Sequence, residues 1–207
     1  MSASVARSRY AVHPRVEMVR NWIATLEEKT GRTLEGWLAL IADEGPPTEK
    51  ERRGWLKNEH ELGTNTAWWL AERASGKGGE DDDPDAYLAA ALGYVEAMFA
   101  GGKAGLRPVY EQLLDAGLGL GSDVRACPCK TFVPLYRTHV FAQLKATTRT
   151  RFDLGLALKD TAASGRLLST GGYEKKDRIS HRIPLASVAE IDDEVMSWLR
   201  RAYEMNP

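Results

Sequence analysis

The sequence predicts an α+β protein in two parts. An N-terminal four-helix domain is followed by an α+β domain whose antiparallel sheet is flanked by helices. Three observations predict this. Apolar residues recur every three or four positions through the first 74 residues, and again from 86 to 116. From Val124 the period falls to two, most plainly in "TRFDLGLAL" (150–158). Between these regions the chain reads "SGKGGEDDDPD" (75–85), glycine and acidic residues that bury no apolar surface. This stretch reads as a solvated linker, with a helical domain over 14–74 and an α+β domain over 86–207.

The elements follow in order. Pro14 suits a first helical turn, Val16, Val19, Ile23 and Leu26 share a face, and Gly31 fits the position just past the end. Thr33 caps a second helix whose apolar side is Leu34, Trp37, Leu38 and Ile41; "EGPP" (44–47) stops it. Thr48 and Glu51 have capping-box spacing and open a third helix with Trp55 and Leu56. "ELGTN" (61–65) breaks that helix, and "TAWWLAER" (66–73) starts a fourth. Five of the six tryptophans precede the linker, where a small helical domain needs large side chains for a core.

After the linker come helices over 86–99 and 106–116, the second with Leu106, Val109, Leu113 and Leu114 on one side. In the strand at 150–158, Thr150, Phe152, Leu154, Leu156 and Leu158 face one way and Arg151, Asp153, Gly155 and Ala157 the other. "VFAQLKA" (140–146) puts Val140, Ala142 and Leu144 inward and Phe141, Gln143 and Lys145 outward. "RTH" (137–139) makes the preceding hairpin, pairing Tyr136 with His139. Short strands fit 166–169 and 182–185. A last helix, capped by Asp192, has Val195, Trp198, Leu199 and Ala202 on its apolar side.

These motifs carry a resemblance. "EEKTGRTLEGWLALI" (27–41) with "WLKNEHELGTNTA" (55–67) resembles a small bacterial helical domain, domain of unknown function 4287. The stretch from "GLRPVYEQLLDAGLGLGSDV" (105–124) through "CKTFVPLYRTHVFAQLKATTRTRFDLGLALK" (129–159) resembles domain of unknown function 5655. Lys130, Thr131, Phe132 and Val133 match that family's Lys-Thr-aromatic-Val strand, and the cysteines just before it are a local departure. The resemblance implies a short bacterial protein joining the two domains. It transfers no catalytic residue and no cofactor.

Charge and composition narrow the function further. The 207 residues have a formal net charge of −1, which gives no global drive toward nucleic acid or membrane. Yet residues 130–182 carry 11 Lys and Arg against 4 Asp and Glu. No apolar run approaches the roughly 20 residues that span a bilayer. The opening "MSASVARSRYAVHP" has Arg7 and Arg9 but no apolar stretch, and Glu17 soon follows, so neither a signal nor a transit peptide is expected. A cytoplasmic location is the expectation, since two cysteines in this length are no disulfide framework.

The candidate sites are few. Cys127 and Cys129, two apart on a strand, would point the same way, but a zinc site wants four ligands and the hairpin register keeps His139 at a distance. They read as ordinary semi-buried thiols. His60 between Glu59 and Glu61 reads as a solvated helix end. The four consecutive acids at 80–83 lack calcium-loop spacing. Thr64, Asn65, Thr66 and Arg73 could belong to a helix-turn-helix, though that domain is neutral and a packed helical hairpin fits better. No catalytic, metal or cofactor motif is present, so a non-enzymatic binding protein is expected.

The basic sheet is the binding candidate. Its outward register collects Lys130, Lys145, Arg149 and Arg151, interleaved with Phe132, Tyr136 and Phe141; Lys175, Lys176 and Arg178 follow in a loop. Cations beside rings on an open sheet suit nucleic acid or another anionic ligand, with phosphates on the charges and bases on the rings. The alternatives are a protein-interaction adaptor working through the tryptophan-rich helical domain, and a small enzyme or binding protein for an anionic small molecule lodged by Lys130, Tyr136 and Arg151.

Overall fold

A computed structural model describes residues 9–207 and shows an α+β chain that divides into two compact units, residues 12–87 and residues 88–207 with 9–11. The leader reading, Arg7 included, lies outside the described residues. No described helix is long and apolar enough to cross a membrane.

The helical unit contains five helices where four are expected: α1 (Pro14–Ala24), α2 (Leu26–Thr30), α3 (Leu34–Glu44), α4 (Glu49–Asn58) and α5 (Thr64–Arg73). The extra one arises at Thr25. Its hydroxyl donates to the Asn21 carbonyl at 2.9 Å, competing for a helical acceptor, and its backbone leaves the helical region at φ −104°, ψ 3°. The expected single helix therefore breaks there. It still ends at Gly31, whose φ of +77° is the left-handed conformation glycine adopts most easily. Thr33 accepts from the Gly36 N–H at 3.1 Å, and Thr48 with Glu51 forms the full capping box. Val19, Leu26, Trp37, Ile41, Leu56, Trp69 and Leu70 fill the core, with Trp22 and Trp55 half-buried against it. In the acidic stretch at 75–85, residues Gly79–Asp81 form a 3₁₀ turn; Asp81 pairs with Arg15 at 3.0 Å, and Asp82 with Arg73.

The division between units falls between Tyr87 and Leu88, within α6 (Pro84–Met98). Beyond it lie α7 (Arg107–Leu118), six strands and α8 (Asp193–Glu204). The strands are β1 (Arg125–Ala126), β2 (Val133–Tyr136), β3 (Val140–Ala146), β4 (Phe152–Leu156), β5 (Leu168–Ser169) and β6 (His181–Leu185). They form one antiparallel sheet in the order β1-β2-β3-β4-β6-β5. The inner register, Val133, Leu135, Leu144, Leu154, Leu156 and Ile183, is fully buried with Val109, Leu113 and Leu114 of α7 and Val195, Leu199 and Ala202 of α8. Asp192 caps α8 as expected, accepting from the Val195 N–H at 3.2 Å.

Two details of the β2–β3 hairpin differ from expectation. Tyr136 pairs with Val140 rather than His139, while its neighbour Leu135 pairs with Ala142. The step skips Phe141, a bulge that puts two residues of β3 against one interval of β2. Phe141 is therefore fully buried, its ring edge-on to Tyr203 of α8 at 5.7 Å, instead of facing outward with Gln143 and Lys145.

Gly117 of α7 sets how closely that helix lies on the sheet. A Cβ there would sit 2.4 Å from Leu135 Cδ1, and Leu135 has no exposed side into which it could retreat. Gly117→Ala is expected to cost about 1–3 kcal/mol from overpacking. Adding Leu135→Val should recover part of that loss, and urea unfolding of the single and double variants measures both effects.

Candidate functional site

Alternation puts the residues between the buried leucines on the other side of the sheet. Cross-strand pairing aligns them in rows. Lys145 of β3 pairs with Asp153 of β4, which pairs with Pro184 of β6; Gln143 pairs with Gly155, which pairs with Arg182. Val133, paired with Leu144, ends the β2–β3 ladder, and Phe132 precedes it in a turn that the Cys129 N–H closes by donating to the Phe132 carbonyl at 2.8 Å. Lys145, Gln143, Arg182, Pro184, Phe132 and Tyr136 are all half-buried, so this register is partly open to solvent.

Asp153 is the centre of the outer register. It is only 9% exposed and accepts from the Thr147 hydroxyl at 2.6 Å. Arg151 Nε lies 3.2 Å from its Oδ1, and Arg182 Nη1 lies 3.3 Å from its Oδ2. A carboxylate this buried is tolerable only with such partners. The balance of donors also matters. Each guanidinium offers five N–H donors and the carboxylate about four acceptor positions, so donors remain after Asp153 is satisfied. With Lys145 beside it, the cluster has three cations against one anion.

The other expected residues are distributed as follows. Lys130 is exposed in the β1–β2 loop. Arg149 is exposed, and its aliphatic stem lies against Gly102, where a Cβ would come within 3.0 Å of Arg149 Cδ. Tyr136 pairs with Arg125, and burial first, then the two nearby cysteines, pushes its phenol up to about 12. Lys175, Lys176 and Arg178 are exposed in the β5–β6 loop. Lys176 and Arg178 line a groove of about 520 Å³ with Lys159, Tyr173, Asp177 and Asn206, apart from the Asp153 cluster. The sheet thus assembles Lys145 and Arg151 around Asp153, sends Phe141 to the core, and places the loop cations elsewhere. Arg182 and the neutralising Asp153 were not among the expected binding residues. The signal for Arg182 is in "RIPL", where inward Ile183 and Leu185 leave it outward.

Among the described residues no three His, Cys, Asp or Glu side chains gather where they could hold a metal ion. Cys127 is buried and Cys129 half-buried, and burial pushes the Cys127 thiol up to about 12. His60 is no solvated helix end. Its ring lies edge-on to Trp55 at 4.4 Å and to Trp37 at 5.3 Å, with Nε2 buried and unbonded. Trp69 is buried while Trp68 is 54% exposed under the Arg53 guanidinium, 4.5 Å from its ring centre.

The comparisons match this arrangement of two units. The family model described as Domain of unknown function (DUF5655) matches residues 95–206, and that described as Domain of unknown function (DUF4287) matches residues 18–75. No curated protein and no solved structure matches the chain.

Two outcomes follow from the placement of the rings and thiols. Phe141→Ala should cost about 3–5 kcal/mol in urea unfolding, as for other buried aromatics, whereas Phe132→Ala should stay within about 1 kcal/mol. With a thiol pKa of about 12, only about one Cys127 in ten thousand is ionised at pH 8. In a Cys129→Ser variant, iodoacetamide should therefore label Cys127 only after denaturant is added, and rapid labelling of the native protein would show that the thiol is open.

Proposed function

We propose, for a chain that belongs to the DUF5655 family and carries a DUF4287 domain ahead of it, a role as a non-enzymatic cytoplasmic protein that binds single-stranded nucleic acid through the outer register of its sheet. The observation that carries this reading is the cluster of Lys145, Arg151 and Arg182 around Asp153, on the sheet whose second strand follows the half-buried Phe132. Cations meet phosphates, and a half-exposed ring gives a base a surface to stack on; such stacking contributes about 1–3 kcal/mol per base. Lys130 and Arg149, both exposed, extend the charge beyond the cluster. Asp153 accepts from Arg182 Nη1 at 3.3 Å and pairs with Arg151 by charge, so the Arg182 guanidinium is bonded on one edge and keeps an orientation for an anion on another.

The other two readings have narrower support. An adaptor role for the helical unit is favoured by Trp68, a large ring left more than half exposed. Loss of a bound partner on Trp68→Ala, with folding unchanged, would favour it. A small-molecule site made by Lys130, Tyr136 and Arg151 is less supported, because the groove beside the β5–β6 loop takes in none of the three.

A fluorescent single-stranded oligonucleotide titrated at several salt concentrations tests the leading reading. Four phosphate contacts give a slope of about −3 in log affinity against log salt, which is a loss of about 50-fold between about 50 and about 200 mM. Arg182→Ala and Lys145→Ala should each weaken binding and make the slope shallower by about 0.7. Asp153→Asn removes the competing charge while its amide oxygen can still accept from Arg182, so it should tighten binding even as it lowers stability. Absence of binding at low salt, or affinity indifferent to salt, overturns the proposal.

A further inference from the structure

The C-terminal unit contains a second site of different character. The groove of about 520 Å³ is lined by Lys159 just beyond β4, by Tyr173, Glu174, Lys176 and Arg178 of the β5–β6 loop, and by Asn206 just beyond α8. Its volume falls within the roughly 300–1,000 Å³ that small-molecule sites occupy.

Three features give the groove its chemistry. The first is charge without a partner. Among the described residues Lys159, Lys176 and Arg178 form no ion pair, whereas Arg151, Arg166 and Arg182 of the same unit all do. The carboxylates of the groove leave these cations unpaired: Glu174 meets none of them, and Asp177 Oδ1 accepts from the Ile179 N–H at 3.2 Å. Lys159 and Lys176 also have φ of +54° and +59°, a left-handed backbone that side chains other than glycine's adopt at a cost. The second feature is Asn206. It is 6% exposed, and its Nδ2 donates to the Ala157 carbonyl at 2.8 Å and the Ala202 carbonyl at 2.7 Å. Two carbonyl neighbours identify that atom as the nitrogen and use both of its hydrogens. No described residue donates to its Oδ1, and, unlike the indole nitrogen of Trp69, this oxygen is not sealed from water. What Asn206 offers the groove is therefore an acceptor in a fixed orientation. The third feature is Tyr173, a ring 54% exposed, with a face free for stacking.

We propose that this groove binds a nucleotide whose base carries an exocyclic amine, adenylate being the simplest. Lys159, Lys176 and Arg178 meet the phosphate, Tyr173 stacks on the base, and Asn206 Oδ1 accepts from the amine. A base with a keto oxygen at that position sets acceptor against acceptor, and the Asn206 amide cannot turn over without losing two hydrogen bonds. Inorganic phosphate alone would leave Tyr173 and Asn206 unused and most of the volume empty. The site lies apart from the Asp153 cluster and goes beyond the reading of the sheet.

Adenosine monophosphate titrated into the full chain tests this, with the side-chain amide resonances of Asn206 as the reporter. Loss of those resonances in Asn206→Asp assigns them. The expected result is a saturable shift with a dissociation constant of about 0.1–1 mM, and at least about tenfold weaker binding both of inosine monophosphate and of adenosine without phosphate. Lys159→Gln, at an exposed position, should weaken adenosine monophosphate about threefold or more while thermal melting is unchanged. The nucleotide could be free or the end of a strand. In a Lys145→Ala, Arg182→Ala double variant, which removes the charge of the sheet, tighter binding of a 5′-phosphorylated adenosine trimer than of the monophosphate points to a strand end, and the reverse points to a free nucleotide. No saturable shift at about ten times the expected dissociation constant, or inosine monophosphate or adenosine binding as tightly as adenosine monophosphate, overturns the assignment. Oligonucleotide binding by the sheet is a separate measurement, so either result stands without the other.

Discussion

Leu135, Leu144, Leu154 and Leu156 are entirely withdrawn from water, and the C-terminal unit is organised around keeping them so. Each fully buried leucine contributes about 1.5–3 kcal/mol relative to exposure, which no surface charge in this unit can match. Their burial beside α7 and α8 fixes which way the sheet faces. Because strand residues alternate, every leucine turned inward turns a neighbour outward. Gln143, Lys145, Asp153 and Arg182 are outward for that reason, whatever they then do. The charged face is thus a consequence of the apolar one, and a one-residue slip of register would exchange the two.

The same dependence explains the one ring that does not conform. Phe141 has the outward parity of Gln143 and Lys145, yet the step from the Leu135–Ala142 pair to the Tyr136–Val140 pair changes its side. A phenyl ring buries far more apolar surface than a bulge forfeits in ladder bonding, and Tyr203 supplies an edge for it to pack on. The hydrogen bond from Ala157 N–H to the Phe141 carbonyl, at 2.9 Å, keeps that backbone acceptor satisfied through the irregularity.

Much of the fold is legible in the residue pattern, and the failures have local causes. Thr33, Thr48 with Glu51, and Asp192 cap where their spacing says they should, because a cap needs only residues within one turn. The leucine register reads directly from "TRFDLGLAL". The break at Thr25 does not, since a threonine inside a helix more often leaves it intact. Phe141 does not, because a bulge is settled by what packs beneath the strand and not by the strand itself. Of the charged face, Lys145 and Arg151 follow from parity, but their meeting with Arg182 around Asp153 needs the β4–β6 pairing across the long excursion through β5. His60 misleads for a related reason: its place between Trp37 and Trp55 depends on a return of the chain that no local period encodes.

Asp153 and Trp69 present the same problem with opposite resolutions. Both place a polar group where water cannot reach it well. Asp153 is resolved within the chain, by a threonine hydroxyl and two guanidinium groups that surround it. The indole N–H of Trp69 is left without an acceptor in a unit whose other buried indole, that of Trp37, donates to Thr30 at 2.8 Å. On the sheet the surplus lies instead in donors that Asp153 cannot consume.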